Sequence, residues 1–180
     1  MWLWAGAVAI VVAAAAVGVK MFLLHGDGAA HVLVIPSKFG DFARMPQLEH
    51  QMNITRLQQQ VIAKSGGQAT HVVSAVYENN AETLGAAQQQ IILFIGGNLT
   101  GVSPSEFIAS FTDQFKGAHA VSAGPQGGSA SCVSPSGERV TLCAWADGDT
   151  FGVVASSTMD AAHLSAQMRA IRPRVERTAK

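Results

Sequence analysis

Residues 129–156 read SASCVSPSGERVTLCAWADGDTFGVVAS, three runs of small, β-branched and aromatic residues separated by two glycine-bearing turns. Ser136-Gly137-Glu138-Arg139 and Asp147-Gly148-Asp149-Thr150 each put glycine first in a two-residue loop, as a type II′ hairpin requires. The first register sets Cys132 opposite Cys143, and directly opposed residues have the separation a disulfide needs. The second sets Ala146 against Phe151, Ala144 against Val153 and Leu142 against Ala155, an apolar face joined by Val140. Side chains alternate along a strand, so Cys143 and Trp145 point to the other face, where Trp145 covers Gly152.

Outward from this meander, helices are expected before and after it. Ser103-Pro104-Ser105-Glu106 is a capping box with proline at the first helical position, opening a helix through Phe107, Ile108, Phe111 and Phe115 to Gly117. Ser157-Thr158-Met159-Asp160 offers a similar start for a last helix with Met159, Leu164, Met168 and Ile171 on its apolar face and Pro173 at its end. Earlier, Leu48, Met52, Leu57 and Val61 lie near helical spacing, so residues 45–64 read as one helix closed by Gly66-Gly67. His31–Pro36, Thr70–Tyr77 and Gln90–Ile95 read as strands, the last stopped by Gly96-Gly97. Residues 37–43 read as irregular and 78–87 as a loop. The expectation is an α+β domain, with a mainly antiparallel sheet of about seven strands packed by about three helices.

The 180 residues allow one domain of ordinary size. Twelve Lys+Arg balance twelve Asp+Glu, which argues against a nucleic-acid binder relying on a basic face. A hydrophobic fraction of 48% with only 13% charged residues argues against disorder. Two cysteines support neither a disulfide-rich scaffold nor, alone, a four-thiolate zinc site.

The apolar residues concentrate at the start. From Trp2 to Val19 there is no charged or strongly polar side chain; Lys20 and a second apolar patch, Met21–Leu24, follow. As a helix, residues 2–24 span roughly 33 Å, close to the thickness of a bilayer's hydrocarbon core. Trp2 and Trp4 at one end suit an interface, and Lys20 near the other can snorkel to the headgroups. A cleaved signal peptide would want a basic leading region and a shorter apolar core. We therefore divide the chain into a transmembrane anchor (1–24), a linker (25–30), one domain (31–175) and a tail (176–180). Lys20 alone favours a cytoplasmic domain by the positive-inside rule, whereas a cysteine pair placed to bond favours an oxidising compartment. The cysteine geometry decides for an extracytoplasmic domain, with a cytoplasmic one as the alternative.

Gly127-Gly128-Ser129 through Cys132, Cys143-Ala-Trp-Ala-Asp-Gly-Asp149, Gly152-Val-Val154 and Ile171-Arg-Pro173 resemble small single-pass membrane proteins of actinobacterial type that carry no assigned activity. The resemblance covers about the last 90 residues, with Ile35–Arg44 as a further match. It implies an anchor and a surface-exposed C-terminal domain, and brings no catalytic residues. At the level of element order, the chain is similar to the Mog1/PsbP-like sandwich of binding and assembly factors.

Chemistry-bearing patterns are sparse. Cys132 and Cys143 read as a staple across a hairpin; the lack of CxxC spacing or a flanking cation weighs against a redox switch. His25, Asp27 and His31 fall in a glycine-rich tether, and Asp147 and Asp149 lack the further acids of a calcium loop, so no metal or cofactor is expected. His50, His71, His119 and His163 lie on different elements, with no nucleophile elbow or phosphate loop to join them. Asn53-Ile-Thr55 and Asn98-Leu-Thr100 match glycosylation sequons, which matter only in a eukaryotic secretory setting. Trp145 and the basic residues Arg169, Arg172 and Arg174 are the candidate interaction residues, the arginines through anionic lipid or an acidic partner. The expected function is a membrane-tethered binding or interaction domain without catalysis, its partners the lipid bilayer and a protein or membrane complex. The rivals are a hydrolase-like enzyme whose site assembles in three dimensions and a small accessory subunit of a membrane complex.

Overall fold

The hairpin registers expected from the turns are the ones observed. A computed structural model describes residues 31–79 and 89–178. In it β7 (Ser129–Val133), β8 (Thr141–Ala146) and β9 (Thr150–Ser156) pair antiparallel, with Cys132 opposite Cys143, Trp145 opposite Gly152 and Ala146 opposite Phe151. The turns that make these registers are of another kind. Gly137 has φ +85° but is the third residue of a turn closed by Glu138 N–H on the Pro135 carbonyl, the type II position, inside a wider loop. Gly148 has no left-handed φ. Instead Asp147 Oδ1 accepts from the N–H of Asp149 (3.1 Å), the N–H of Thr150 (2.8 Å) and the Thr150 hydroxyl (2.9 Å), so the aspartate folds this turn.

The remaining elements are β1 (His31–Leu33), β2 (Lys38–Phe39), β3 (Phe42–Arg44), α1 (Pro46–Gln51), α2 (Ile54–Lys64), β4 (Ala69–Asn79), β5 (Gln90–Leu99), α3 (Pro104–Gln114), β6 (His119–Ala120), α4 (Ala161–Val175) and β10 (Glu176–Thr178). The fold is α+β. An eight-stranded antiparallel sheet runs β2-β3-β4-β5-β9-β8-β7-β6, and β1 pairs with β10 in a separate ribbon. Four helices and ten strands among the described residues exceed the expected three and seven, because residues 37–44 form a hairpin, residues 45–64 form two helices, and β6 and β10 are too short to leave a pattern.

Both faces of the sheet are covered. On one, Leu57 and Val61 of α2 and Phe107 and Phe111 of α3 meet Val76, Leu93, Ile95, Leu142 and Phe151. On the other, Leu164, Met168, Ile171 and Val175 of α4, with Leu33 of β1, meet Phe94, Cys132, Cys143, Trp145 and Val154. Every residue of β8 and β9 is buried in consequence.

Several boundaries differ from expectation: β1 ends at Leu33 rather than Pro36, and α3 at Gln114 rather than Gly117. β5 does not stop at Gly96-Gly97 but runs through them to Leu99; a Cβ on Gly96 would lie 2.6 Å from the Phe151 carbonyl oxygen, and one on Gly97 2.7 Å from that of Thr70. These glycines admit neighbouring backbone and do not end the strand. Pro173 does not end α4, which continues to Val175, and Glu176–Thr178, read as a tail, becomes β10. α4 is capped by Asp160, whose carboxylate accepts from His163 N–H at 2.8 Å. The capping box at Ser103 and Glu106 is present as expected.

The apolar span 2–24, with Trp2, Trp4 and Lys20, lies outside the described residues. Among the described residues no helix is long and apolar enough to cross a membrane.

Candidate functional site

Cys132 and Cys143 are joined by a disulfide, Cα atoms 4.1 Å apart, and both are fully buried on the face covered by α4. Reagents reach these sulfurs only when the domain opens, so the bond is a staple beneath the helix rather than a surface switch.

Trp145 and Arg172, expected as contact residues, are also fully buried and belong to one polar network. The α4 stripe explains Arg172: it follows Met168 by four residues, between Ile171 and Val175, on the inward face of the 3.6-residue period. Its guanidinium donates Nε–H to Glu176 Oε1 (2.8 Å), Nη2–H to Asp147 Oδ2 (2.6 Å) and Nη1–H to the carbonyls of Ala123 (3.0 Å) and Gly127 (2.6 Å). The same Glu176 oxygen accepts from Trp145 Nε1–H (2.9 Å) and from the Thr150 hydroxyl (3.0 Å). Burial pushes the Asp147 carboxyl up, but the N–H groups of Asp149 and Thr150, the Thr150 hydroxyl and Arg172 together hold it below its ordinary value. Trp145 stacks on Phe94 with centroids 5.8 Å apart. Donors and acceptors here are satisfied by one another, so the network is structural. Of the expected basic cluster, Arg174 is exposed and Arg169 half-buried, donating to the Ser165 hydroxyl at 3.3 Å.

The histidines do not converge. His31 Nδ1 lies 3.1 Å from Asp149 Oδ1, His163 Nδ1 lies 2.8 Å from Asp160 Oδ1, and no hydrogen bond joins a histidine ring to a hydroxyl among the described residues. Nor do three or more His, Cys, Asp or Glu side chains gather as metal ligands there. His25 and Asp27 lie outside the described residues. Asn98, in the second sequon, is buried, its amide donating to the His31 carbonyl at 2.7 Å and the Asp149 carbonyl at 3.2 Å, which leaves no room for a sugar.

Among the described residues, a recess that can take a ligand lies elsewhere, where α1 meets α2 over the edge of β4. It is an open cleft of about 450 Å³, lined by Arg44, Glu49, His50, Asn53, Ile54, Thr55, Gln58 and Ser74 among others. That volume suits a small molecule. Its existence follows from the break in the expected 45–64 helix. Asn53 takes φ +52°, ψ +46°, a left-handed conformation asparagine tolerates, and turns the chain between α1 and α2. Asn53 gives the start of α2 no side-chain cap, and Ile54 and Thr55, the first two residues of that helix, both line the cleft.

On the opposite wall Arg44 and Glu49 form a forked pair, Nε–H to Oε1 at 2.7 Å and Nη2–H to Oε2 at 2.8 Å, while Glu49 Oε1 also accepts from Val76 N–H at 3.2 Å. Burial raises the Glu49 carboxyl, but Arg44 and the Val76 N–H bring it below its ordinary value, so it stays an acceptor with its lone pairs engaged. Ser74, two residues before Val76 on the same face of β4, is 5% exposed, and its hydroxyl has no hydrogen-bond partner. Buried hydroxyls are nearly always paired, so this one marks the cleft as a place where a partner belongs.

No protein-family model matches the chain, and no curated protein or solved structure matches it. The cleft stands on its own geometry. Sequence reasoning met His50 as an isolated histidine, Asn53–Thr55 as a sequon and Arg44 as the end of a resembling segment, but joined none of them into a site; the overlooked signal was Asn53 followed by β-branched Ile54 and Thr55 inside an otherwise helical pattern.

Proposed function

We propose that this chain is a membrane-tethered extracytoplasmic binding domain without catalytic activity, held to the bilayer by residues 2–24 and presenting the α1–α2 cleft to a polar ligand. The carrying observation is that Ser74, with a buried and unpartnered hydroxyl, belongs to the lining of an open polar cleft. A cleft holding His50 and Ser74 with no hydrogen bond between them supports binding over hydrolysis, since a nucleophile needs a base within reach. Among the described residues the large exposed apolar side chains are Val32, Val34 and Ile62, none on α4, which favours a small polar ligand over a wide apolar protein interface there. The buried disulfide supports an oxidising compartment, and Trp2, Trp4 and Lys20 support the tether. A protein partner in the membrane would engage the exposed Arg174 or the anchor itself, not Trp145 or Arg172.

The test is the thiol state in cells. Cells are quenched in acid, the protein is unfolded in denaturant, which the burial of both sulfurs makes necessary, and thiols are alkylated with or without prior reduction. Cys132 and Cys143 are expected to resist alkylation until reduced, and the protein to sediment with membranes. Thiols free before reduction would place the domain in the cytoplasm, and a wholly soluble protein would remove the tether.

A further inference from the structure

The α1–α2 cleft has hydrogen-bond donors left over, and their grouping points to its ligand. Glu49, its one carboxylate among the lining residues, has Oε1 occupied by Arg44 and Val76 and Oε2 by Arg44. Arg44 is held in a fixed plane by that fork, yet only Nε and Nη2 are used; Nη1 has no partner among the described residues, and the side chain is 37% exposed. At the opening turn of α2, eleven residues long, Arg56 N–H donates to the Asn53 carbonyl at 3.0 Å, while no side chain caps the N–H groups of Ile54 and Thr55. Such N–H groups carry partial positive charge and favour an anion. Ser74, whose buried hydroxyl is unpartnered, lines the same space, as does His50. An oxyanion uses all of these at once, because each of its oxygens accepts two or more hydrogen bonds and arginine presents paired donors in a plane.

We propose that the cleft binds a phosphate group carried by a small polar ligand, with the Arg44 Nη1 donors, the N–H groups opening α2 and the Ser74 hydroxyl as its partners. This rests on reading the chain as a binding domain and specifies the ligand chemistry of that site. Glu49 serves as a positioning residue, orienting Arg44 while leaving one of its nitrogens free. The group can come from soluble phosphate esters or from a lipid headgroup in the membrane to which the chain is tethered.

Full-length protein in nanodiscs separates these sources. Thermal midpoints are compared in phosphatidylcholine discs with inorganic phosphate or chloride at matched ionic strength, and in discs with or without phosphatidic acid. Wild type is expected to rise with phosphate, phosphatidic acid or both; a response only to phosphatidic acid assigns the lipid source, one only to inorganic phosphate assigns the soluble source, and a response to both assigns a site that takes the group from either. Ser74→Ala is expected to keep or raise the unliganded midpoint, since it removes an unsatisfied buried hydroxyl, while weakening phosphate binding about tenfold by calorimetry. No response to either probe, or a response that Ser74→Ala leaves intact, overturns the proposal. Failure there with a blocked cysteine pair and membrane sedimentation would leave the tethered binding domain standing with another ligand.

Discussion

Gly152 shows how one missing carbon fixes a large neighbour. Trp145 lies directly across from it, and a Cβ at Gly152 would overlap the six-membered ring, with Cη2, Cζ2 and Cζ3 its nearest atoms. The indole has nowhere to retreat, because it is fully buried, stacks on Phe94 and donates to Glu176. Overpacking of this kind costs about 2–3 kcal/mol, so Gly152→Ala is expected to lower the urea midpoint accordingly with little change in slope. A midpoint within error of wild type would mean the ring can move. This contact was legible in the sequence, because period-two alternation and the turn register together set the partner of Trp145. Ser74 was not: one serine in a strand reads the same whether its hydroxyl meets water, backbone or an empty cleft.

At the scale of elements, β1 is held by the meander as much as by its ribbon partner. His31 N–H donates to Asp149 Oδ2 at 2.6 Å and its ring approaches Oδ1, while the Asn98 amide donates to its carbonyl. The hydrogen bond to Asp149, opposed by burial and aided by the nearby Asp149, Asp147 and Glu176 charges, raises the His31 pKa above its usual value of about 6.5. A pKa raised on folding means the protonated ring stabilises the fold fully below the unfolded value, and this contribution fades as pH rises through the folded one. The thermal midpoint of wild type is therefore expected to exceed that of His31→Gln by most near pH 5.5, narrowing towards pH 8. A gap that is flat across that range would show that the ring contributes no charge. The helix break at Asn53 belongs to this scale too. Apolar spacing from Leu48 to Val61 carries straight across it, so periodicity cannot report a left-handed residue that interrupts the backbone without shifting the buried stripe.

For the molecule as a whole, Arg172 ties three separate segments: the end of α4, the 123–127 loop and the Asp147 turn. Replacing it leaves the largely buried Asp147 and Glu176 carboxylates and the Ala123 and Gly127 carbonyls without their cation. Loss of one partner of a buried pair typically costs about 3–5 kcal/mol, and Arg172→Met is expected to fall in that range by urea unfolding at neutral pH. Adding Glu176→Gln should recover part of the loss, because it removes one stranded charge while an amide oxygen still accepts from Trp145 and Thr150. If the single variant unfolds like wild type, water already serves the network.

The strand pairing from Ser129 to Ser156, the cysteine bond, the capping box and the apolar face of α4 were determined by the sequence alone, because each depends on residues close along the chain or on the strict two- and 3.6-residue periods. Tertiary structure alone decided that both faces of the sheet are covered, that Trp145 and Arg172 lie inside, and that Arg44, Asn53 and Ser74 share a cleft. Arginine reads as surface until its salt partners, 25 residues upstream and four downstream, are brought to it. Burial is a property of what packs against a face, and a local pattern can show which residues share a face but not what covers it.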